Sequence, residues 1–208
     1  MPTPFKALLF ILSLLILSFS ITAQEKSFDI ETLINTIPFD DVIENDEITA
    51  DQLHKLLSKN AHKNDTIWRL DKHNKSTIIF HSPHEKWILK TYPMSKNKQL
   101  LLVNTQLGNH GQTQSFIFYI YNRKENSLSK EMQRNAYIPD ITENDFLSKA
   151  HKFTEKDQGN VVLSMNDDGT ISASPMQWMS EKWKNKEPEY TIKLKWVKNH
   201  FIKIKEKI

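Results

Sequence analysis

The feature that most constrains the fold is a series of short apolar segments in the middle of the chain. Four of them, rich in β-branched and aromatic residues, are STIIFH, WILKTY, QLLLVNTQL and SFIFYIYN, between residues 76 and 122. They are separated by polar turn segments such as SPHE and GNHG, with no helical pattern between them. Antiparallel strands join through short turns, whereas parallel strands need a long crossover connection. The sequence therefore predicts an antiparallel meander, which SLSKEMQ, residues 127–133, extends by one strand.

Two hairpins are predicted nearer the C-terminus. The segment NVVLSMNDDGTISAS, residues 160–174, turns at Asp168-Gly169, because an Asp-Gly pair supplies the positive φ of a tight turn. The segments YTIKLKWV and FIKIKEK alternate apolar and polar residues and are expected to turn at residues 198–200.

Helix signals precede the meander. In ITADQL, residues 48–53, Thr49 is a good N-cap and Gln52 lies three residues later, as a capping box requires. An earlier helix is indicated by apolar residues at helical spacing before Pro38, namely Ile30, Leu33, Ile34 and Ile37.

Two later segments also carry helix-start signals. In ITENDF, residues 141–146, Thr142 can cap and Asp145 is an acidic third residue. In SPMQWMSEKW, residues 174–183, Ser174 precedes Pro175, which suits the first position of a helix. Together these patterns predict an α+β fold, in which N-terminal helices pack on a mainly antiparallel β-sheet built from the meander and the C-terminal hairpins.

The chain begins with a pattern typical of a secretory signal. Lys6 precedes an apolar run from Ala7 to Ile21, and Ala23 is a small residue at the expected cut. The run is shorter than the roughly 20 residues of a membrane span. The sequence therefore predicts a signal peptide at residues 1–23 and one exported α+β domain at residues 24–208, periplasmic or secreted, with no later membrane span.

Composition narrows the chemistry. The absence of cysteine excludes disulfides and thiolate metal sites. Charge is distributed unevenly: residues 29–54 hold eight acidic residues and no Lys or Arg, whereas residues 181–208 hold nine lysines and four glutamates. Cleavage after Ala23 removes only Lys6 among charged residues, so the formal net charge falls from +3 to +2. No nucleic-acid partner is expected.

Metal and nucleophile signals are weak. His81 and His84, in HSPHE, are the remaining option for a metal, but a proline-containing turn between two strands is the favoured interpretation. The chain has no Gly-x-Ser-x-Gly elbow, and its four glycines form neither a phosphate loop nor a dinucleotide fingerprint. The sequence therefore predicts no catalytic residues, no cofactor and no metal.

Two surfaces are candidates for binding. The loop NTQLGNHGQTQS, residues 104–115, is dense in amide side chains, which both donate and accept hydrogen bonds. Its candidate recognition residues are Asn104, Gln106, Asn109, His110, Gln112 and Gln114. In the last hairpin, alternation predicts that Ile202 and Ile204 join the apolar face. The opposite, basic face is then formed by Lys193, Lys195, Lys203 and Lys205. For both surfaces, a solvated hairpin without a binding role is the favoured interpretation.

These features favour an exported, non-enzymatic binding module for a protein or an anionic glycan, of which inhibitor- and immunity-type proteins are examples. The alternative is a hydrolase of cell-envelope or extracellular polymers that uses unmarked carboxylates or a histidine-bound metal.

Overall fold

In a computed structural model, which describes residues 29–30, 33, 50–58, 67–107, 113–154, 161–179 and 181–208, the protein is mainly β. The described residues form ten strands in two antiparallel sheets, and the one α-helix described along its whole length is α1, Ala50–Leu57. The strands of the first sheet are β1 Arg69–Asn74, β2 Thr77–His81, β3 Glu85–Ser95, β4 Lys98–Leu107, β5 Thr113–Asn122 and β6 Ser127–Glu131. Those of the second are β7 Val161–Met165, β8 Ile171–Pro175, β9 Tyr190–Val197 and β10 His200–Lys207.

The first sheet is a meander in which neighbours in sequence are neighbours in space, in the order β1 to β6. The five predicted strands of the meander are confirmed as β2 to β6. Strand β1 was not predicted, because its sequence RLDKHN is polar. It lies at the edge of the sheet, where side chains face water, and so it lacks the apolar signal of the inner strands.

The second sheet has the order β10-β9-β8-β7 and contains both predicted hairpins. Gly169 turns the first hairpin with φ of 87°. Lys198 and Asn199 turn the second with φ values of 47° and 72°, which is a two-residue turn.

An inter-sheet cluster fills the space between the two sheets. The first sheet contributes Ile79, Ile88, Leu102 and Phe118, and the second contributes Leu163, Ile171, Leu194 and Phe201. The opposite face of the first sheet carries a second cluster, in which Phe80, Trp87 and Leu101 pack with Leu53, Leu56 and Leu57 of α1. The inner strands of the meander are therefore buried on both faces, which explains their nearly continuous apolar sequences.

The predicted α+β arrangement of N-terminal helices packed on a sheet is not borne out. Of the first predicted helix, only Ile30 and Leu33 are described, and both are helical and buried. The later capping signals begin only 3-10 turns, at Glu143–Phe146, Gln177–Met179 and Glu181–Trp183. Pro175 ends strand β8 instead of starting a helix. A cap satisfies a few backbone donors, but a helix also needs several turns of apolar periodicity to pack, and these segments lack them.

The predicted signal peptide, residues 1–23, lies outside the described residues. Over the described ranges, no helix is long and apolar enough to cross a membrane.

Candidate functional site

The site begins at β7, the edge strand of the second sheet. Three amide side chains from β4 and β5 meet its end. Gln106 Nε2 donates to the backbone oxygen of Met165 at 3.1 Å, and Met165 N–H donates to Gln114 Oε1 at 3.4 Å. Gln106 Nε2 also donates to Asn104 Oδ1 at 2.9 Å, and Asn104 is fully buried. This amide clip, formed by Asn104, Gln106 and Gln114, fastens the end of β7 to the first sheet.

A groove borders β7 on residues nearer its start. Its cavity volume is about 230 Å³. The apolar part of its lining is Ile138, Pro139, Ile141, Val161 and Leu163, and its polar part is Asn135 and Asp140. Asn135 and Asp140 are exposed, whereas Ile138 and Leu163 are buried. Apolar residues therefore lie at the bottom of the groove, but much of its accessible surface is polar, with one carboxylate at the rim.

The wall opposite β7 is held in place by the fold. The segment after β6 enters the protein with Tyr137 and Ile138, both buried in the inter-sheet cluster. The backbone N–H of Phe201 in β10 donates to the backbone oxygen of Tyr137 at 2.8 Å. Pro139 then restricts the backbone as the chain leaves the interior. Both walls of the groove are thus attached to the same core.

The predicted recognition loop is only partly described. Asn104, Gln106 and Gln114 belong to the amide clip and make contacts within the fold. Asn109, His110 and Gln112 lie outside the described residues. A role in recognition stays a prediction for the loop, while the first three side chains have an internal role that their sequence pattern did not reveal.

The predicted basic face is wrong in its geometry. In the register of the last hairpin, Lys203 lies opposite Leu194, and Lys205 lies opposite Ile192. Directly paired residues share a face, so Lys203 and Lys205 lie on the core side, and Ile202 and Ile204 lie on the outer side. Only Lys193 and Lys195 share the outer face.

Lys203 and Lys205 have partners within the protein. Lys203 Nζ donates to Asp145 Oδ2 at 2.8 Å. Lys205 Nζ donates to the backbone oxygen of Leu147 at 3.2 Å and lies 3.8 Å from the ring centroid of Tyr190. These two lysines attach residues 145–147 to the edge strand β10.

The two histidines lie at the turn between β2 and β3. His81 Nδ1 contacts Asp71 Oδ2 at 2.8 Å, and His84 is exposed. Among the described residues, no group of three or more His, Asp or Glu side chains is placed to hold a metal.

Two buried carboxylates were not singled out by the sequence. Glu85 Oε2 accepts the indole N–H of Trp87 at 3.0 Å. Glu143 Oε1 accepts that of Trp183 at 2.8 Å. These carboxylates belong to different faces of the first sheet, because Trp87 lies in the cluster with α1 and Trp183 in the inter-sheet cluster. They therefore do not form the pair of facing acids that glycoside cleavage requires.

Lys90 has an unusual environment that its sequence did not indicate. Its Nζ lies 3.1 Å from Ser76 Oγ and 2.8 Å from Thr77 Oγ1. Burial and the neighbouring charge of Lys72 lower the pKa of Lys90, against the opposite effect of Asp168. A lysine with a lowered pKa beside a hydroxyl is the starting point for base-assisted nucleophilic chemistry.

A serine, a histidine and a glutamate also meet, near the start of β9. His151 Nδ1 lies 2.7 Å from Glu189 Oε1 and 3.3 Å from Ser148 Oγ. The hydrogen bond from His151 lowers the pKa of Glu189 and outweighs its desolvation. A catalytic triad instead uses one ring nitrogen for the serine and the other for the acid. Here the same nitrogen faces both, so the arrangement is a hydrogen-bonded contact and not a proton relay.

No family model and no curated protein matches the chain. A solved structure of a domain of an uncharacterized protein from Porphyromonas gingivalis W83 is similar in fold. The similarity has a TM-score of 0.56 at 11% sequence identity and covers 86% of this chain and 98% of that chain. This likeness concerns the fold alone.

Proposed function

We propose that the protein is an exported binding module whose ligand site is the groove beside β7. The single observation that carries the proposal is the groove itself, a cleft of about 230 Å³ that combines five apolar lining residues with Asp140 and Asn135 on its rim. Apolar lining with a few polar groups is the usual composition of a ligand site. Export is supported by the N-terminal pattern of residues 1–23.

The size of the groove favours recognition of part of a larger partner. Sites for whole small molecules commonly measure about 300–1,000 Å³. A cavity of about 230 Å³ suits one or two side chains, or one ring, of a ligand that continues outside it. Of the two partner classes that the sequence favours, a protein fits this groove better than an anionic glycan, because Asp140 on the rim would repel an anionic glycan.

A non-enzymatic role is supported by how the reactive groups are engaged. Glu85 and Glu143 each accept an indole N–H, and His151 contacts Glu189. None of these side chains lines the groove.

The hydrolase alternative was predicted to use carboxylates or a histidine-bound metal, and the contact of Lys90 with Ser76 offers it a different mechanism. Its difficulty is access, because Gly169 of the β7–β8 turn lies directly against the Lys90 side chain. Ser76→Ala in this alternative abolishes turnover of the polymer substrate and labelling by a fluorophosphonate probe. If the wild type is unlabelled and hydrolyses no cell-envelope polymer, Lys90 and Ser76 have only a structural role.

The groove is tested by nuclear magnetic resonance of isotope-labelled protein, screened against mixtures of short peptides and oligosaccharides. We expect chemical-shift changes at Ile138, Ile141 and Leu163, and their loss in Ile141→Asp. Ile202→Asp is the matched control, because Ile202 is an exposed isoleucine on the outer face of the second sheet. Binding that maps elsewhere, or that survives Ile141→Asp, contradicts the proposal.

A further inference from the structure

We infer that the occupant of the groove is an extended segment of a partner protein, which pairs with β7 as an additional strand. This inference rests on the proposed function and specifies its ligand. It starts from the hydrogen-bonding direction of β7. The backbone N–H of Asn166, just after β7, donates to Thr170 O at 2.8 Å on the β8 side. Since backbone groups alternate in direction along an antiparallel strand, those of Val162 and Ser164 also point towards β8.

The backbone groups of Val161, Leu163 and Met165 therefore point away from β8, towards the open edge. Two observations agree with this direction. The amide clip reaches both the N–H and the oxygen of Met165 from that side. Val161 lies opposite Pro175, which has no N–H to donate to a neighbour.

Along the open edge of β7, the outward backbone groups have hydrogen-bond partners at one end only. At Met165 the clip takes the place of a neighbouring strand. At Leu163 and Val161, no hydrogen bond within the described part of the chain reaches the outward N–H or oxygen. These four groups lie where β7 borders the groove, and they repeat at the spacing of a strand, about 7 Å for two residues. A regular row of donors and acceptors at this spacing is complementary to another extended backbone, and not to a sugar ring or a lipid chain.

The groove then specifies the side chains of that backbone. In strand addition, backbone hydrogen bonds supply affinity, and pockets for alternate side chains supply specificity. An apolar side chain of the incoming strand fits against Ile138 and Ile141. A lysine or arginine two residues away reaches the carboxylate of Asp140 on the rim. The clip at Met165 ends the available edge, so the incoming strand pairs with only two residues of β7.

The inference is tested by selecting heptapeptides from a random phage-displayed library on the purified protein and measuring their affinity by fluorescence polarisation. We expect enriched peptides to combine an apolar residue with a nearby basic one. Only every second amide of a paired peptide faces β7. N-methylation of each of these amides should weaken binding about tenfold, whereas N-methylation of the intervening amides should leave binding unchanged. Val161→Pro removes an outward N–H without removing a ladder bond and should weaken the same peptides about tenfold.

Two controls separate this inference from the proposed function. Ile141→Asp should abolish binding of any ligand in the groove, whereas Val161→Pro should affect only a strand. Peptides that respond to Ile141→Asp, but not to Val161→Pro or to N-methylation, overturn strand pairing and leave the groove as the site. Peptides whose affinity is unchanged by Ile141→Asp overturn both the strand pairing and the groove as the binding site.

Failure to enrich any peptide overturns a polypeptide occupant. Light scattering shows whether the protein is a dimer. If it is, and if Val161→Pro converts it to a monomer, the edge of β7 pairs with a second copy of this chain, and the inference of a different partner protein is overturned.

Discussion

The hydroxyl of Tyr92 donates a hydrogen bond to the backbone oxygen of Gly169, 2.5 Å away, and thereby joins β3 of the first sheet to the β7–β8 turn of the second. The same turn is held by Lys86, whose Nζ lies 2.7 Å from Asp167 Oδ1, and by Lys72, whose Nζ donates to the backbone oxygen of Asp167 at 2.7 Å. Burial, assisted by Asp168, raises the pKa of Tyr92 above its usual value, so the hydroxyl remains a donor at neutral pH. These contacts and the amide clip bracket β7 at its C-terminal end.

The first prediction concerns Gly169. Gly169→Ala should lower the free energy of unfolding by about 1–2 kcal/mol, because alanine disfavours positive φ. An added Cβ would also lie 2.8 Å from Lys90 Cε, while φ is 87°. Urea denaturation measures the loss. A double-mutant cycle with Lys90→Ala separates the steric contact from the backbone cost. Wild-type stability in Gly169→Ala would contradict the turn geometry.

The second prediction concerns acid. Burial of Asp145 opposes its ionisation, but hydrogen bonds from Lys203 and Thr142, with the charge of Lys205, prevail and lower its pKa. A carboxylate with a lowered folded pKa contributes stability that is present above its unfolded value and lost as the pH falls.

Asp145→Asn should therefore lower the free energy of unfolding by about 1 kcal/mol at neutral pH. The loss should be much smaller at a pH far below 3.8, the ordinary pKa of the group. Urea denaturation at both pH values measures this, with Lys203→Met as the partner control. An equal cost at both pH values would rule out the ion pair as the cause.

The third prediction compares two replacements of Glu143. Glu143→Gln keeps a carbonyl that can accept the Trp183 indole N–H, whereas Glu143→Leu leaves that buried donor unpaired. The leucine variant should be less stable than the glutamine variant by about 1–3 kcal/mol. Trp183→Phe removes the donor, so the difference between the two replacements should shrink in that background. If the two variants unfold at the same urea concentration, the indole contact does not contribute to stability.

The fourth prediction concerns the lysines of the last hairpin. Only Lys193 and Lys195 lie on the outer face, so charge reversal to Glu there should reduce the salt concentration needed for elution from an anionic matrix. It should change stability by no more than about 0.5 kcal/mol. Lys203→Gln with Lys205→Gln should instead destabilise the fold, because both side chains have internal partners. If the charge reversal of Lys193 and Lys195 leaves the elution profile unchanged, the outer face is a solvated surface that does not bind anions.

The fifth prediction concerns export. The apolar run followed by Ala23 predicts that the native protein begins at or near Gln24. Intact-mass measurement of protein isolated from its natural source decides this. A mass that includes residues 1–23 would contradict cleavage.

Local sequence predicted the strands better than the register of the last hairpin. The apolar content of the segments predicts strands β2 to β5, and the Asp168-Gly169 pair predicts the turn between β7 and β8. The sequence predicted a three-residue turn at residues 198–200, whereas the structure has a two-residue turn at Lys198-Asn199 with both residues at positive φ. A slip of one residue moves every side chain of β10 to the other face. The predicted four-lysine surface therefore does not exist.

The sequence by itself determined the antiparallel pairing of neighbouring strands, because short turns and alternating side chains are properties of adjacent residues. Only the tertiary structure decided how the second sheet sits on the first. Gln114 meets Ser164, 50 residues away, and Gln106 meets Met165, 59 residues away. Such contacts depend on the twist and packing of two whole sheets, which no local pattern encodes. The groove exists because those distant contacts secure one end of β7 and leave the other end of its edge open.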